Sequence, residues 1–175
     1  MDATRLITID DAPVMAQLLT ENRDFMAPWE PIRSDEFYTE SGQRKLIKAI
    51  LERETQGLEV PHVILDPAQG GKVVGRITLS TIVRGPFQSC SVGYWVSGKE
   101  NGRGLASAAV AAIKRVAFED LGLHRVEAGT LKHNVRSQKV LERNGFERFG
   151  MAPSYLKIAG AWQDHILFQV LNPDA

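Results

Sequence analysis

The chain has 175 residues, 43% of them hydrophobic, with 21 basic and 21 acidic side chains and a formal net charge of zero. That length suits a single domain, which buries roughly 70% of its unfolded surface without a metal or disulfide staple, and the charge balance argues against nonspecific nucleic-acid binding. The lone Cys90 has no partner for a disulfide, no apolar run reaches the ~18 residues of a membrane span, and the N-terminal stretch lacks a signal-peptide core, so a cytoplasmic globular domain is expected.

In chain order, Arg5 to Ile9 alternates like a short strand. Asp10-Asp11-Ala12-Pro13 then reads as a helix start, with an acidic cap and proline in the first turn, leading to a helix that ends near Asn22. Asp24 to Asp35 is expected to be irregular because Pro28 and Pro31 interrupt it. A second helix spans about Ser41 to Gln56, with Gly57 as its stop. Val60 to Leu65, Lys72 to Val83 and Ser89 to Val96 are rich in β-branched and aromatic residues and are separated by turn sequences, which predicts an antiparallel meander.

A helix from Gly104 to about Leu121 carries small and apolar residues at helical spacing. Arg125 to Thr130 reads as another strand, and Val135 to Asn144 as another helix. The chain closes with strands at Phe146 to Phe149, Met151 to Ile158 and Trp162 to Leu171. The expected fold class is α+β, a mixed and mostly antiparallel sheet flanked by helices, in one domain covering residues 1–175.

Two segments carry chemistry. In the first, a strand through Tyr94, Trp95 and Val96 runs into a loop with Gly102 and Gly104 and then into the alanine-rich helix. The first N–H groups of a helix lack internal partners and together carry partial positive charge, and the glycines let a bulky anion approach them. A pyrophosphate suits such a place; a plain tight turn is the competing reading. The loop lacks both the Gly-Lys-Ser/Thr ending of a phosphate loop and the spaced glycines of a dinucleotide fingerprint. In the second segment, Asn134 stands where a helix cap belongs and Ser137 follows three residues later. Capping and a solvated serine are the bland alternatives.

Taken together, Asn101-Gly102-Arg103-Gly104-Leu105-Ala106 and the later Asn134, Ser137, Gly145 and Phe146 resemble the pyrophosphate motif and the second motif of the GNAT superfamily of N-acetyltransferases. Asn101 departs from that family's usual Gln or Arg. Further matches at Asn22 to Phe25, Trp29-Glu30-Pro31, Val83-Arg84-Gly85, Gly93-Tyr94, His124-Arg125 and Gly160 to His165 are similar to the ribosomal-protein-alanine N-acetyltransferases within it. The resemblance implies acetyl-coenzyme A (acetyl-CoA) as co-substrate, entering a V-splayed sheet between the strand of Tyr94 to Val96 and that of Arg125 to Thr130.

By the same resemblance, Ser137 is the candidate acid for the departing thiolate, and Asn134 holds the pantetheine or ribose side. Tyr94, Trp95, Val96, Asn101, Gly102, Arg103, Gly104, Leu105 and Ala106 contact the cofactor. Arg103, Arg136 and Lys139 are candidates for its phosphates, against a default of solvated helix charge. Glu127 is the candidate base, with a structural salt bridge as its rival role. Tyr155 is an alternative acid, Asp164 shapes the substrate mouth, and His133 belongs to the loop. Trp29 and Phe87 either touch substrate or only pack. The four histidines show no close-spaced ligand pattern, so no metal is expected. The implied acceptor is the N-terminal α-amine of a protein; a small amine such as an antibiotic or polyamine, or a non-catalytic acyl-CoA sensor, is the alternative. Neither nucleic acid nor membrane is expected as a partner, and monomer and homodimer both stay open.

Overall fold

A computed structural model describes residues 2–174. The chain runs through β1 (Thr4–Leu6), α1 (Ala12–Glu21), α2 (Arg23–Met26), α3 (Glu40–Thr55), β2 (Val60–Asp66), β3 (Lys72–Val83) and β4 (Ser89–Val96). It continues through α4 (Leu105–Arg115), β5 (Arg125–Leu131), α5 (Val135–Arg143), β6 (Glu147–Ile158) and β7 (Ala161–Leu171).

Local chemistry sets several boundaries. The Asp11 carboxylate accepts the Thr8 backbone N–H at 2.8 Å and a two-pronged contact from Arg5 at 2.7 and 2.8 Å. These bonds draw Thr8 into the entry to α1, so β1 stops at Leu6 instead of reaching the expected Ile9. Thr39 Oγ1 accepts the Gly42 N–H at 3.0 Å and caps α3, a contact whose loss typically costs about 0.5–2 kcal/mol. The expected irregular stretch from Asp24 to Asp35 instead opens inside a helical turn, because α2 covers Arg23–Met26. The Met26 N–H reaches the Asn22 carbonyl at 2.8 Å, and the prolines interrupt the helix only beyond that turn. Asp35–Tyr38 adds a short 3-10 turn. α4 gives way at Val116 to a wider turn over Val116–Asp120, where the Leu121 N–H reaches the Val116 carbonyl at 3.0 Å. The two strands expected around Gly150 are one strand, β6, whose register shifts between Arg148 and Gly150 and again between Ala152 and Leu156.

The sheet order is β1-β2-β3-β4-β5-β7-β6. Every neighbouring pair is antiparallel except β4 and β5, which α4 connects as a crossover. Those two parallel strands pair only at Ser89 with Arg125, Cys90 with Val126 and Ser91 with Glu127. Beyond that, β4 stays with β3 as far as Val96 opposite Gly75, while β5 stays with β7 as far as Leu131 opposite His165. The sheet therefore splits in the middle.

Each face has its own core. One joins Ile77, Leu79, Val92, Val126, Ala128 and Phe168 to Val110 and Ile113 of α4 and Leu141 of α5. The other joins Val63, Leu65 and Val73 to Met15 and Leu18 of α1 and Ile47 of α3. Buried apolar side chains of this size contribute roughly 1.5–3 kcal/mol each, so the α4–α5 layer, whose core draws on both halves of the sheet, holds them in place across the split.

Candidate active site

Strand alternation decides what meets the split from each side. On β4, Val92, Tyr94 and Val96 point to the α4–α5 face, whereas Trp95 packs with the α1–α3 core. Gly93 shares the α1–α3 side with Trp95, and on β5 Gly129 alternates with Ala128 in the same sense. A cavity of about 540 Å³ occupies the split, walled by β4 from Val92 to Val96, β5 from Ala128 to Leu131, the start of α5 and the Phe25 to Glu30 segment. A groove of about 380 Å³ continues toward the α4 N-terminus. Val96, Asn101, Ala106, Arg136 and Val140 line both.

The groove lies over the glycine loop. Gly102 and Gly104 have φ of +81° and +77°, a left-handed backbone that side chains rarely adopt, and a Cβ at either would meet nothing within 4 Å. No side chain caps α4, and the first backbone bond into its start is from Ala108 N–H to the Gly104 carbonyl, at 3.0 Å. The donors of the first turn thus face open space. Gly102, Gly104 and Leu105 line this groove, as do Arg136, Lys139 and Arg143, so open backbone donors and three cations fit a pyrophosphate. Arg103 departs from expectation. Its guanidinium is held by Asp66 at 2.6 Å and by Glu100, and it lines neither space. Through that contact Arg103 keeps the Asp66 carboxyl below the usual carboxylate range. Asp66 lies 37 residues away in sequence, and no local pattern announces the pair.

A buried clamp that the sequence reading did not single out holds the loop to α1. Asn22 Oδ1 accepts the Gly98 N–H at 2.8 Å, while its amide nitrogen donates to the Leu18 carbonyl at 2.8 Å and to Ser97 Oγ at 3.2 Å. The Phe25 ring packs over Gly98, where a Cβ would lie 3.2 Å from its Cγ.

Asn134 and Ser137 stand together at the split. Asn134 caps α5 by accepting the Ser137 N–H at 3.2 Å. Ser137 Oγ lies 2.9 Å from the Tyr94 hydroxyl, which is also 3.2 Å from the Ser137 carbonyl. Burial pushes the Tyr94 phenol up to about 12, so it stays protonated as a donor. When that proton goes to Ser137 Oγ, the serine's own proton is free to turn into the cleft.

The remaining predicted residues scatter. Trp29 lines the cavity, its ring centroid 5.3 Å from that of His133, which lines the cavity too. Phe87 is half exposed near Arg125 and outside the cavity. Tyr155 does not line the cavity; its ring is 5.6 Å from that of His165, and a Cβ at Gly129 would lie 3.8 Å from its edge. Asp164 accepts the Ser154 N–H at 3.0 Å and pairs with Lys132 at 3.1 Å, away from the cavity. Glu127 is opposite Ser91 in the last paired step before the split, beside Arg125 at 3.5 Å, and does not line the cavity. Two titratable groups not proposed from sequence do line it, Glu30 and His165. The His165 Nδ1 is 3.0 Å from the Gln163 carbonyl, which only accepts, so Nδ1 is the donor of that contact. Among the described residues no group of three or more His, Cys, Asp or Glu is placed to hold a metal ion, and no helix is long and apolar enough to cross a membrane.

An acetyltransferase (GNAT) domain model matches residues 4–147, which span the split, the glycine loop and both motifs. The chain belongs to the GNAT acetyltransferase family. It is 36% identical over 170 residues to the [Ribosomal protein uS5]-alanine N-acetyltransferase of Escherichia coli (strain K12), covering 97% of this chain and 87% of that protein. It is 38% identical over 170 residues to a Bacillus subtilis (strain 168) protein named Probable N-acetyltransferase YjcK, covering 97% of this chain and 93% of that one. The structure of Mycobacterium smegmatis RimJ in complex with CoA-disulfide superposes with a TM-score of 0.93 at 28% identity, covering 98% of this chain and 82% of that chain. The split sheet is therefore a GNAT sheet, and the chain is an N-acetyltransferase.

Proposed function

We propose that this GNAT chain transfers the acetyl group of acetyl-CoA to the α-amine at a protein N-terminus, with an N-terminal alanine of a ribosomal protein as the favoured acceptor. The observation that carries the chemistry is the Tyr94–Ser137 contact at 2.9 Å inside the split, next to a groove of open backbone donors and cations. The named activity of the E. coli relative supports the acceptor.

Acetyl-CoA supplies an activated thioester. The donors at the start of α4, with Arg136, Lys139 and Arg143, hold its pyrophosphate, and the free edge of β4 from Val92 to Val96 pairs with the pantetheine arm as an added strand would. The amine approaches from the α1–α3 face, where Gly93 and Gly129 present no side chains. It attacks the thioester carbonyl directly in a ternary complex; the C–N bond forms, the C–S bond breaks, and Ser137 donates a proton to the leaving sulfur. An α-amine with a reference pKa of about 7.7–8.0 is partly neutral at working pH, whereas a lysine side chain near about 10.4 is not, which favours N-termini.

Thiol release from acetyl-CoA, measured against peptides beginning with Ala or Ser and against small amines, tests this reading. Faster release with the Ala peptide is expected. Release only with small amines would discard the N-terminal acceptor, and CoA binding without turnover on any amine would discard the enzyme reading.

A further inference from the structure

Resting on that acetyl-transfer reading, we infer that Glu30, and not Glu127, takes the proton from the attacking amine. Glu30 lines the split cavity, and its side chain has no hydrogen-bond or ion-pair partner among the described residues. Its backbone is fixed, because the Glu30 carbonyl accepts the Ala159 N–H at 2.9 Å and so ties the Trp29–Glu30 segment to the β6–β7 hairpin. An unpartnered carboxylate on a fixed backbone in a binding cavity is free to meet a cation or a donor that arrives there.

The side of approach agrees. Glu30 and its neighbour Trp29 come from the segment that follows α2, joined to the α1 layer, and Gly93, where a Cβ would meet nothing within 4 Å, opens the sheet toward that same face. Ser137 reaches the split from the α5 side. The proton acceptor and the proton donor thus flank the split from opposite faces, which suits an amine and a thiolate on opposite sides of one carbonyl carbon. Glu127 is committed to Arg125 below the point where the strands part.

The charges facing Glu30 are Arg33 on its own segment and Arg76 on β3, with His133 and His165 on the cavity wall. Burial raises the Glu30 carboxyl above its ordinary value, while the two arginines pull the other way. A raised carboxyl is a stronger base, closer to the amine it must serve. As the C–N bond forms, one N–H proton passes to Glu30 and afterwards to solvent; the electron pair of the C–S bond leaves with sulfur, which Ser137 protonates before it regains a proton from solvent. The overall reaction is amine plus acetyl-CoA giving amide plus CoA thiol.

Glu30→Gln is the test, with acetyl-CoA and an Ala-starting peptide on which the wild-type chain turns over. The expected result is a fall of about 100-fold or more in kcat/KM, carried by kcat, with CoA affinity and Tm unchanged. On the acid side the wild-type kcat/KM profile should show two ionisations, that of the peptide amine and that of Glu30; Glu30→Gln should keep only that of the amine, and Glu30→Asp should restore part of the rate. Unchanged turnover, a loss confined to KM, or a second acid-side ionisation that persists in Glu30→Gln would each overturn the assignment, the last moving it to His133 or His165. Absence of wild-type turnover on every amine is a different failure, because it removes the acetyl-transfer reading and the proposal with it.

Discussion

The cofactor side of the split and the acceptor side are built differently. On the cofactor side the backbone that frames the open α4 donors and the groove cations is braced in advance: Asn134 caps α5, Tyr94 meets Ser137, Asn22 holds Gly98, and Arg103 is tied to Asp66. The acceptor side offers the unpartnered Glu30 and two glycines with no side chain. The difference teaches that affinity for a shared co-substrate is organised in advance, while room and an open charge are kept for the acceptor. Preorganisation lowers the ordering cost of binding on the first side only.

That contrast can be broken by substitution. Ser137→Ala removes the donor at the split and should lower kcat by about 100-fold or more while CoA affinity by calorimetry stays the same; equal turnover would take Ser137 out of the acid role. Gly93→Phe should act on the other side. A Cβ at Gly93 meets nothing within 4 Å, so the fold tolerates it, but the ring narrows the acceptor's approach. The peptide KM should rise about 10-fold or more with CoA affinity intact, and a loss of CoA affinity instead would show that Gly93 belongs to the cofactor side.

Tyr94→Phe is expected to be milder, because Ser137 keeps its proton and loses only its orienting partner. A fall of about 10-fold in kcat, with little change in peptide KM, would sharpen the view of Tyr94 as a positioning group. The smallest effect belongs to Asp66→Asn, which loosens Arg103 and the loop before α4 and should lower Tm. The Asp66 carboxyl sits below its ordinary value in the folded chain, so its contribution is complete at neutral pH and fades as pH falls through that lowered value. The Tm difference between wild type and variant should therefore shrink in strong acid; a constant difference would separate Asp66 from the ion pair.

Much of this was legible in the sequence because it depends on local pattern. The meander of β2, β3 and β4, the glycine loop and the Asn134–Ser137 helix start all follow from spacing and backbone preference. What stayed hidden depends on contacts distant in sequence. Arg103 reads as a phosphate ligand until the fold brings Asp66 beside it. Glu127 reads as a cleft carboxylate until the β4–β5 register places the split just beyond it. Glu30 lies between prolines in a segment with no periodicity, and only the cavity reveals it. The continuity of β6 was hidden by Gly150, which the strand absorbs through a register shift.

The most direct measurement is a crystal structure of this chain with CoA bound. The account predicts the pyrophosphate on the backbone N–H groups that follow Gly102 and Gly104, the pantetheine arm along Val92 to Val96, and the sulfur within hydrogen-bonding reach of Ser137 Oγ. CoA seated anywhere else, or with its sulfur turned away from the split between β4 and β5, would contradict it.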